Sequence, residues 1–248
     1  METRKLTVII LAAGKGTRMK SVLPKVLHTL DSKPLLAYSL TLAQQLQASP
    51  TVVVVGHGAA EVQQAFVAWP DLSFVVQEPQ LGTGHAVMAA TSALAGFSGT
   101  VLVLNGDVPG LRLSTVQNML EQHWNDHNQQ TVLAMQLDDP AAYGRLITQD
   151  SQLLAIREFR DATPAEKEIK IVNAGIYVFE APALLASLPL LNTNNDQNEY
   201  YLTDLVEVMH KNQLKAGYAL CEDPQEVAGI NSQEELQELQ ALWQRKSK

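Results

Sequence analysis

Short β-branched apolar runs alternate with amphipathic stretches through the first half of this chain, and that order restricts the fold more than any other feature. The runs Leu6–Leu11, Thr51–Val55, Ser73–Gln77 and Val101–Leu104 read as buried strands. Pro34 opens a helix through Leu35, Leu36, Leu40, Ala43 and Leu46, and Ala59–Ala68 and His85–Ala95 read as two more. Ser114 with Gln117 forms a capping box expected to start another helix. Strand, helix, strand in this order predicts right-handed βαβ units. The expected fold is α/β: a doubly wound, mostly parallel sheet with helices on both faces, its ligand crevice at the carboxyl ends of the strands.

After Leu137 the pieces become shorter. Arg145–Thr148, Leu153–Ile156 and Ile171–Phe179, with a charged stretch around Asp161–Lys170, predict a small inserted β-rich lobe. A helix is expected over Tyr200–His210, and a last one capped by Ser232 with Glu235, amphipathic through Leu236, Leu239 and Trp243. No linker rich in Pro, Gly or Ser divides the chain. Residues 1–248 therefore read as a single domain in three parts, about 1–137, 138–231 and 232–248.

Charge narrows the partners. The chain carries 18 Lys and Arg against 26 Asp and Glu, a net −8, which argues against nucleic acid and anionic membrane as partners. Residues 1–33 nevertheless hold seven bases and two acids, and no Lys or Arg follows from Pro34 to Leu111. That local excess is where a polyanionic ligand belongs. The apolar run Leu6–Ala13 is short for a secretory core and meets Lys15, Arg18 and Lys20 at once. No apolar stretch approaches the ~18 residues of a membrane span. The single Cys221 cannot form an internal disulfide, and the expected compartment is the reducing cytoplasm.

The sharpest motif is Leu11-Ala12-Ala13-Gly14-Lys15-Gly16-Thr17-Arg18-Met19, directly after the first strand. Its glycines let backbone amides approach a phosphate while Lys15, Arg18 and Lys25 supply positive charge. It is not a Walker A loop, because Gly16 follows Lys15, and it lacks the third glycine of a dinucleotide fingerprint.

Leu11–Met19, continued by Leu23-Pro24-Lys25-Val26-Leu27, resembles the signature of the sugar-1-phosphate nucleotidyltransferases. Gln77–Ala86, Asn105-Gly106-Asp107-Val108-Pro109, Tyr143-Gly144-Arg145 and Glu199–Asp204 are similar to one branch of that family. The branch is the uridylyltransferase half of the bifunctional N-acetylglucosamine-1-phosphate uridylyltransferase/acetyltransferases. The resemblance implies a nucleotide-binding part to about residue 137, a sugar-phosphate lobe over 138–231, and Mg²⁺-dependent uridylyl transfer from UTP to N-acetylglucosamine 1-phosphate. It implies that Leu11, Ala12, Ala13 and Gly14 hold the nucleotide by backbone contacts, with Arg18 and Lys25 on the phosphates. Gln77, Gln80, Gly82 and Thr83 would take the base. Asp107 and Asn231 would hold Mg²⁺, and Gly144, Glu158, Asn173, Tyr201 and Thr203 would line the sugar-phosphate site. Arg18, Lys25 and Asp107 are then the catalytic set.

The chain departs from the family at several places. Ala228-Gly229-Ile230-Asn231-Ser232-Gln233 keeps Gly-x-Asn but lacks the Glu before it and the Arg after it, and Asn105 and Ala174 replace residues often aromatic and Thr. The hexapeptide repeats of an acetyltransferase half do not occur in the sequence, so neither that activity nor acetyl-CoA binding is expected. With three-fold contacts of that half missing, a monomer or weak dimer is expected. Other sugar 1-phosphates, such as glucose 1-phosphate, and a non-catalytic UTP-binding module remain alternatives. A nucleotide-sugar glycosyltransferase would release UDP instead of pyrophosphate, and a nicotinamide oxidoreductase would want an acidic residue after Thr51–Val55. His123 and His127 have metal-pair spacing, but no third ligand is evident, and they read as a solvated helix face.

Overall fold

A computed structural model describes residues 4–149 and 152–246. The first half runs β1 (Leu6–Ala12), a small hairpin of β2 (Thr29–Leu30) and β3 (Lys33–Pro34), α1 (Leu35–Gln45), β4 (Thr51–Val55), α2 (Ala59–Ala65), β5 (Leu72–Val76), α3 (Thr83–Ala89) and β6 (Thr100–Asn105). The second runs α4 (Leu113–Asn125), β7 (Gln130–Gln136), β8 (Arg145–Gln149), β9 (Gln152–Arg157), α5 (Pro164–Lys167), β10 (Ile171–Glu180), α6 (Ala181–Ser187), α7 (Leu205–Lys211), β11 (Ala216–Cys221) and α8 (Gln233–Lys246).

The central sheet has the order β11-β7-β10-β6-β1-β4-β5, with the β8–β9 hairpin attached to β10. All its neighbours are parallel except β10, which is antiparallel to both β6 and β7. The strands are buried on both sides, so alternate residues serve two cores. Val8 and Ile10, Val53 and Val55, and Leu102 and Leu104 face one core with α1, α2 and α4. Ile9, Val52, Val54, Val101 and Val103 face the other with α3, α6 and α7. This is the doubly wound arrangement expected from the strand and helix order.

Several local expectations are corrected. The capping box at Ser114 does not form: α4 begins at Leu113 with Arg112 as its cap residue and no side-chain cap of its own. Its amino end is satisfied across the fold, where the buried Glu226 carboxylate accepts from Arg112 N (3.3 Å) and Thr115 Oγ1 (2.6 Å). The helix expected from Tyr200 starts at Leu205 after a short turn, because Tyr200 N and Leu202 N are taken by Leu81 O (2.8 Å) and Thr83 Oγ1 (3.1 Å). Ile171–Phe179 is not confined to a separate lobe, since β10 sits between β6 and β7 in the central sheet. His123 is not solvated. It falls in register with Val116, Met119 and Leu120 on the buried face of α4, and its ring nitrogens meet Thr131 Oγ1 (2.8 Å) and Glu180 Oε1 (3.1 Å). The expected cap of the last helix does form, with Ser232 Oγ accepting from Glu235 N at 3.2 Å.

α8 lies over the β2–β3 hairpin. Leu236, Leu239 and Trp243 pack against Leu30, Leu35 and Ile230, with Trp243 edge-on to Tyr38 at 5.5 Å. Among the described residues no helix is long and apolar enough to cross a membrane.

Candidate functional site

The chain leaves β1 for one side of the sheet and returns through β6 to its other side, so a topological switch point lies at their carboxyl ends. A cleft of about 680 Å³ opens there. It is lined by Leu11, Ala12, Ala13, Gly14 and Lys15, by Asn105 and Asp107, by Gln77, Gln80, Gly82 and Thr83, and by Gly144, Glu158 and Asn173, with Lys25 and Asn231 beside Asp107. Of the residues singled out in the sequence, Arg18, Tyr201 and Thr203 do not line it.

The Lys25 ammonium bonds Asp107 Oδ2 and lies 3.3 Å from Asn231 Oδ1. One cation therefore bridges two side-chain oxygens, one anionic and one neutral. Ile230 N on Asp107 O (2.9 Å) holds the two segments of this contact together, and Gly229 leaves room beside them: an added Cβ would stay 3.8 Å from Asp107 Oδ2 and from Asn231 Nδ2. One anionic and one neutral hard oxygen, both partly buried, are donors of the kind a divalent cation takes in place of the ammonium, completing its shell with water and phosphate. No cluster of three or more His, Cys, Asp or Glu that could hold a metal occurs among the described residues.

Backbone geometry shapes the glycine loop. Gly16 sits at φ 59° against Lys25, where an added Cβ would come within 2.8 Å of the lysine Cβ. The following turn, Thr17–Met19, buries Met19 and leaves Arg18 exposed, without a hydrogen bond or ion pair among the described residues.

Deeper in the cleft, Gln77 is almost fully buried. Its Nε2 donates to Gly82 O (2.9 Å) and sits 3.2 Å from His85 Nδ1, leaving Oε1 without a partner among the described residues. Gln80 Nε2 donates to Ala13 O (2.8 Å) and ties this region to the glycine loop. Gly82 has φ 104° and lies so close to Tyr200 O that a Cβ would come within 2.7 Å.

Also beside the cleft, the register of β10 slips between Asn173 and Tyr177. Asn173, in the last regular pair before the slip, lines the cleft; its Nδ2 donates to Tyr177 Oη (2.7 Å) and its Oδ1 accepts from Gly175 N (2.9 Å). Burial, with the Glu158 carboxylate nearby, raises the Tyr177 pKa and keeps it a neutral partner. Burial likewise raises Glu158, against a 3.1 Å bond from Thr203 Oγ1. Thr203 thus acts on the cleft through Glu158, and Tyr201 Oη, 2.7 Å from Gln197 Nε2, is held behind it.

The residues sequence reasoning passed over are mostly structural supports. Arg145 is buried and donates to the carbonyls of Ala141 (2.9 Å), Tyr143 and Lys167 (3.2 Å), which shapes the loop that brings Tyr143 and Gly144 to the cleft. Asn105 Nδ2 holds Gly175 O at 3.0 Å. Its place at the carboxyl end of a buried strand was the available signal.

Next to Thr203, burial and the Glu207 carboxylate push the Asp204 pKa from 3.8 up to about 6. Its folded-state value exceeds the unfolded one, so its contribution is fully present below about pH 4 and is lost as pH rises toward 6. Asp204→Asn should therefore gain stability relative to the parent over that interval. The gain is on the order of 1 kcal/mol once partial exposure is discounted. Urea midpoints from pH 4 to pH 8 check it, and a difference independent of pH would refute it.

With this geometry in hand, the comparisons with known proteins are specific. The profile of the MobA-like NTP transferase domain matches residues 8–187. A bifunctional protein GlmU from Syntrophotalea carbinolica is 43% identical over 246 residues, covering 99% of this chain and 53% of that protein. One from Acaryochloris marina is 47% identical over 234 residues, covering 93% and 50%. The chain thus spans about half the length of these curated relatives. A solved UDP-glucose pyrophosphorylase in complex with UDP-glucose shares the fold, with a TM-score of 0.74 at 16% identity over 98% of this chain and 99% of that one. A domain profile matched across most of the chain, over a cleft built at the sheet's switch point, shows that the chain belongs to the MobA-like NTP transferase domain family.

Proposed function

We propose that the chain catalyses Mg²⁺-dependent transfer of a uridylyl group from UTP to N-acetylglucosamine 1-phosphate, giving UDP-N-acetylglucosamine and pyrophosphate. The observation that carries this is the cleft itself, which gathers into one cavity the glycine-loop residues Leu11–Lys15, the Lys25 and Asp107 pair, Gln77 with Gly82 and Thr83, and Glu158 with Asn173. The relatives named GlmU support the choice of substrates.

The residues suit each task. Uracil presents an N3–H donor, and Gln77 Oε1 is an acceptor whose amide orientation is set by its Nε2 bond to Gly82 O. Backbone groups of Leu11–Gly14 lie along the nucleotide, and Glu158 and Asn173 offer hydrogen bonds to sugar hydroxyls and the acetamido group. A phosphate monoester is already ionised near neutral pH, so its oxygen attacks the α-phosphorus of UTP without a strong base. The new P–O bond forms as the bond to the bridging oxygen breaks, and pyrophosphate departs with that electron pair. Lys25 and Arg18 bring two anions together and offset charge that grows on the departing group. Asp107 and Asn231 would hold Mg²⁺, which supplies further charge neutralisation when bound.

Pyrophosphate release from UTP, Mg²⁺ and a panel of sugar 1-phosphates tests this reading. Turnover with N-acetylglucosamine 1-phosphate ahead of glucose 1-phosphate is expected, and turnover with no member would overturn it. The free, buried Cys221 accords with a reducing compartment such as the cytoplasm. The apolar residues of α8 are engaged with their own domain, so the chain should be a monomer or weak dimer. Light scattering at micromolar concentration checks this, and a trimer mass would contradict it.

A further inference from the structure

We propose that Gln233, the first residue of α8, is a positioning residue for the phosphate loop; the kinetic part of this inference rests on the uridylyl-transfer reading. The loop has little to hold it locally. Its turn is closed by Met19 N on Gly16 O (2.9 Å) and Lys20 N on Thr17 O (3.2 Å), while Gly14, Lys15, Thr17, Arg18 and Lys20 are exposed. A single 3₁₀ turn of three residues is marginal on its own.

Gln80 Nε2 on Ala13 O holds the start of the loop (2.8 Å), and two anchors hold its far end, the turn Thr17–Met19. The Met19 side chain is buried, and Gln233 Nε2 donates to Met19 O at 2.9 Å across 214 residues of sequence. α8 is itself fixed by its apolar contacts and by Gln240 Oε1, which accepts from Asp31 N at 2.8 Å. In the same first turn Glu235 Oε2 accepts from Asn231 N at 2.6 Å. One helical turn therefore fixes both the carbonyl beside Arg18 and the residue beside Asp107. Glu158 and Asn173, at the sugar end, are held by Thr203 and Tyr177 instead. Losing the Gln233 donor should loosen the phosphate end and leave the sugar end alone.

Gln233→Leu, Gln233→Glu and Gln233→Arg separate this role from helix stability. All three replacements are good helix formers, and Glu is favoured in a first helical turn. A role in helix stability alone makes Gln233→Glu the best variant. The positioning role makes it the worst, because a carboxylate faces the Met19 carbonyl. The KM for UTP should rise about fivefold in Gln233→Leu and further in Gln233→Glu, with the KM for the sugar phosphate within about twofold of the parent. Gln233→Arg keeps a donor and should stay within about twofold for both. Trypsin cleavage after Arg18 and Lys20, followed by mass spectrometry without substrates, should quicken about fivefold in the Leu and Glu variants and not in the Arg variant. Parent-like cleavage and UTP KM in Gln233→Leu would overturn the proposal, as would an equal rise in both KM values or an Arg variant as impaired as Leu. A parent chain without turnover removes the uridylyl-transfer reading alone, and the cleavage series then decides the anchoring.

Discussion

Asp107→Asn is expected to lower turnover by roughly a hundredfold or more at ordinary Mg²⁺ concentrations. The substitution is almost isosteric, so shape is preserved and charge is what changes. Asp107 supplies the single carboxylate at the point where the Lys25 ammonium and Asn231 Oδ1 meet. A hard divalent cation depends on that charge, since the amide of Asn231 offers only a dipole. A neutral amide at 107 would also leave Lys25 without this counter-ion. The Mg²⁺ dependence of pyrophosphate release separates the contributions. A midpoint shifted to higher Mg²⁺ with partly recovered turnover identifies loss of the cation site, whereas a titration that overlays the parent places the metal elsewhere.

That the aspartate could be found in the sequence, while its bond to Lys25 could not, follows from what each depends on. Strands β1, β4 and β6 are runs of Val, Ile and Leu because both faces are buried, and such runs are visible to inspection. A motif placed immediately after such a strand inherits its position at the sheet's carboxyl edge. The two strands of the central sheet that inspection did not find lack this signal. β7 reads Gln-Thr-Val-Leu-Ala-Met-Gln, with Leu, Ala and Met at its centre, all good helix formers. β11 contains Gly217, which packs so closely on Asn128 that a Cβ would come within 2.4 Å of its amide. Tertiary burial, not propensity, makes both of them strands.

The same division runs through the site. Residues near one another in sequence, such as Leu11–Gly14 or Gln77–Thr83, were legible as groups. The cap of α4 by Glu226, the support of Glu158 by Thr203 and the contact of Gln233 with Met19 all join segments far apart in the chain. No local pattern encodes them. His123 shows the intermediate case, since the spacing of Val116, Met119, Leu120 and His123 did announce a buried face. The metal-pair spacing with His127 drew attention away from it, and His127 lies beyond the end of α4 at φ 54°.

Arg18→Ala should reduce kcat by on the order of a hundredfold and leave the folding stability within about 0.5 kcal/mol of the parent. The combination comes from where the side chain stands. Arg18 is exposed and has no protein partner among the described residues, so truncation breaks no contact that holds the fold. It also does not line the cleft, although the loop that carries it begins with Gly14 and Lys15, which do. On the proposed uridylyl transfer, Arg18 would have its counter-charge supplied by the substrate, and most strongly where charge accumulates on the departing pyrophosphate. Binding of UTP should therefore weaken less than kcat falls. Calorimetric UTP affinity, steady-state kinetics and a urea melt on one preparation measure all three quantities. Equal losses in affinity and kcat/KM at unchanged kcat would assign Arg18 to ground-state binding. A large loss of stability would mean instead that the turn Thr17–Met19 depends on a contact of its own arginine.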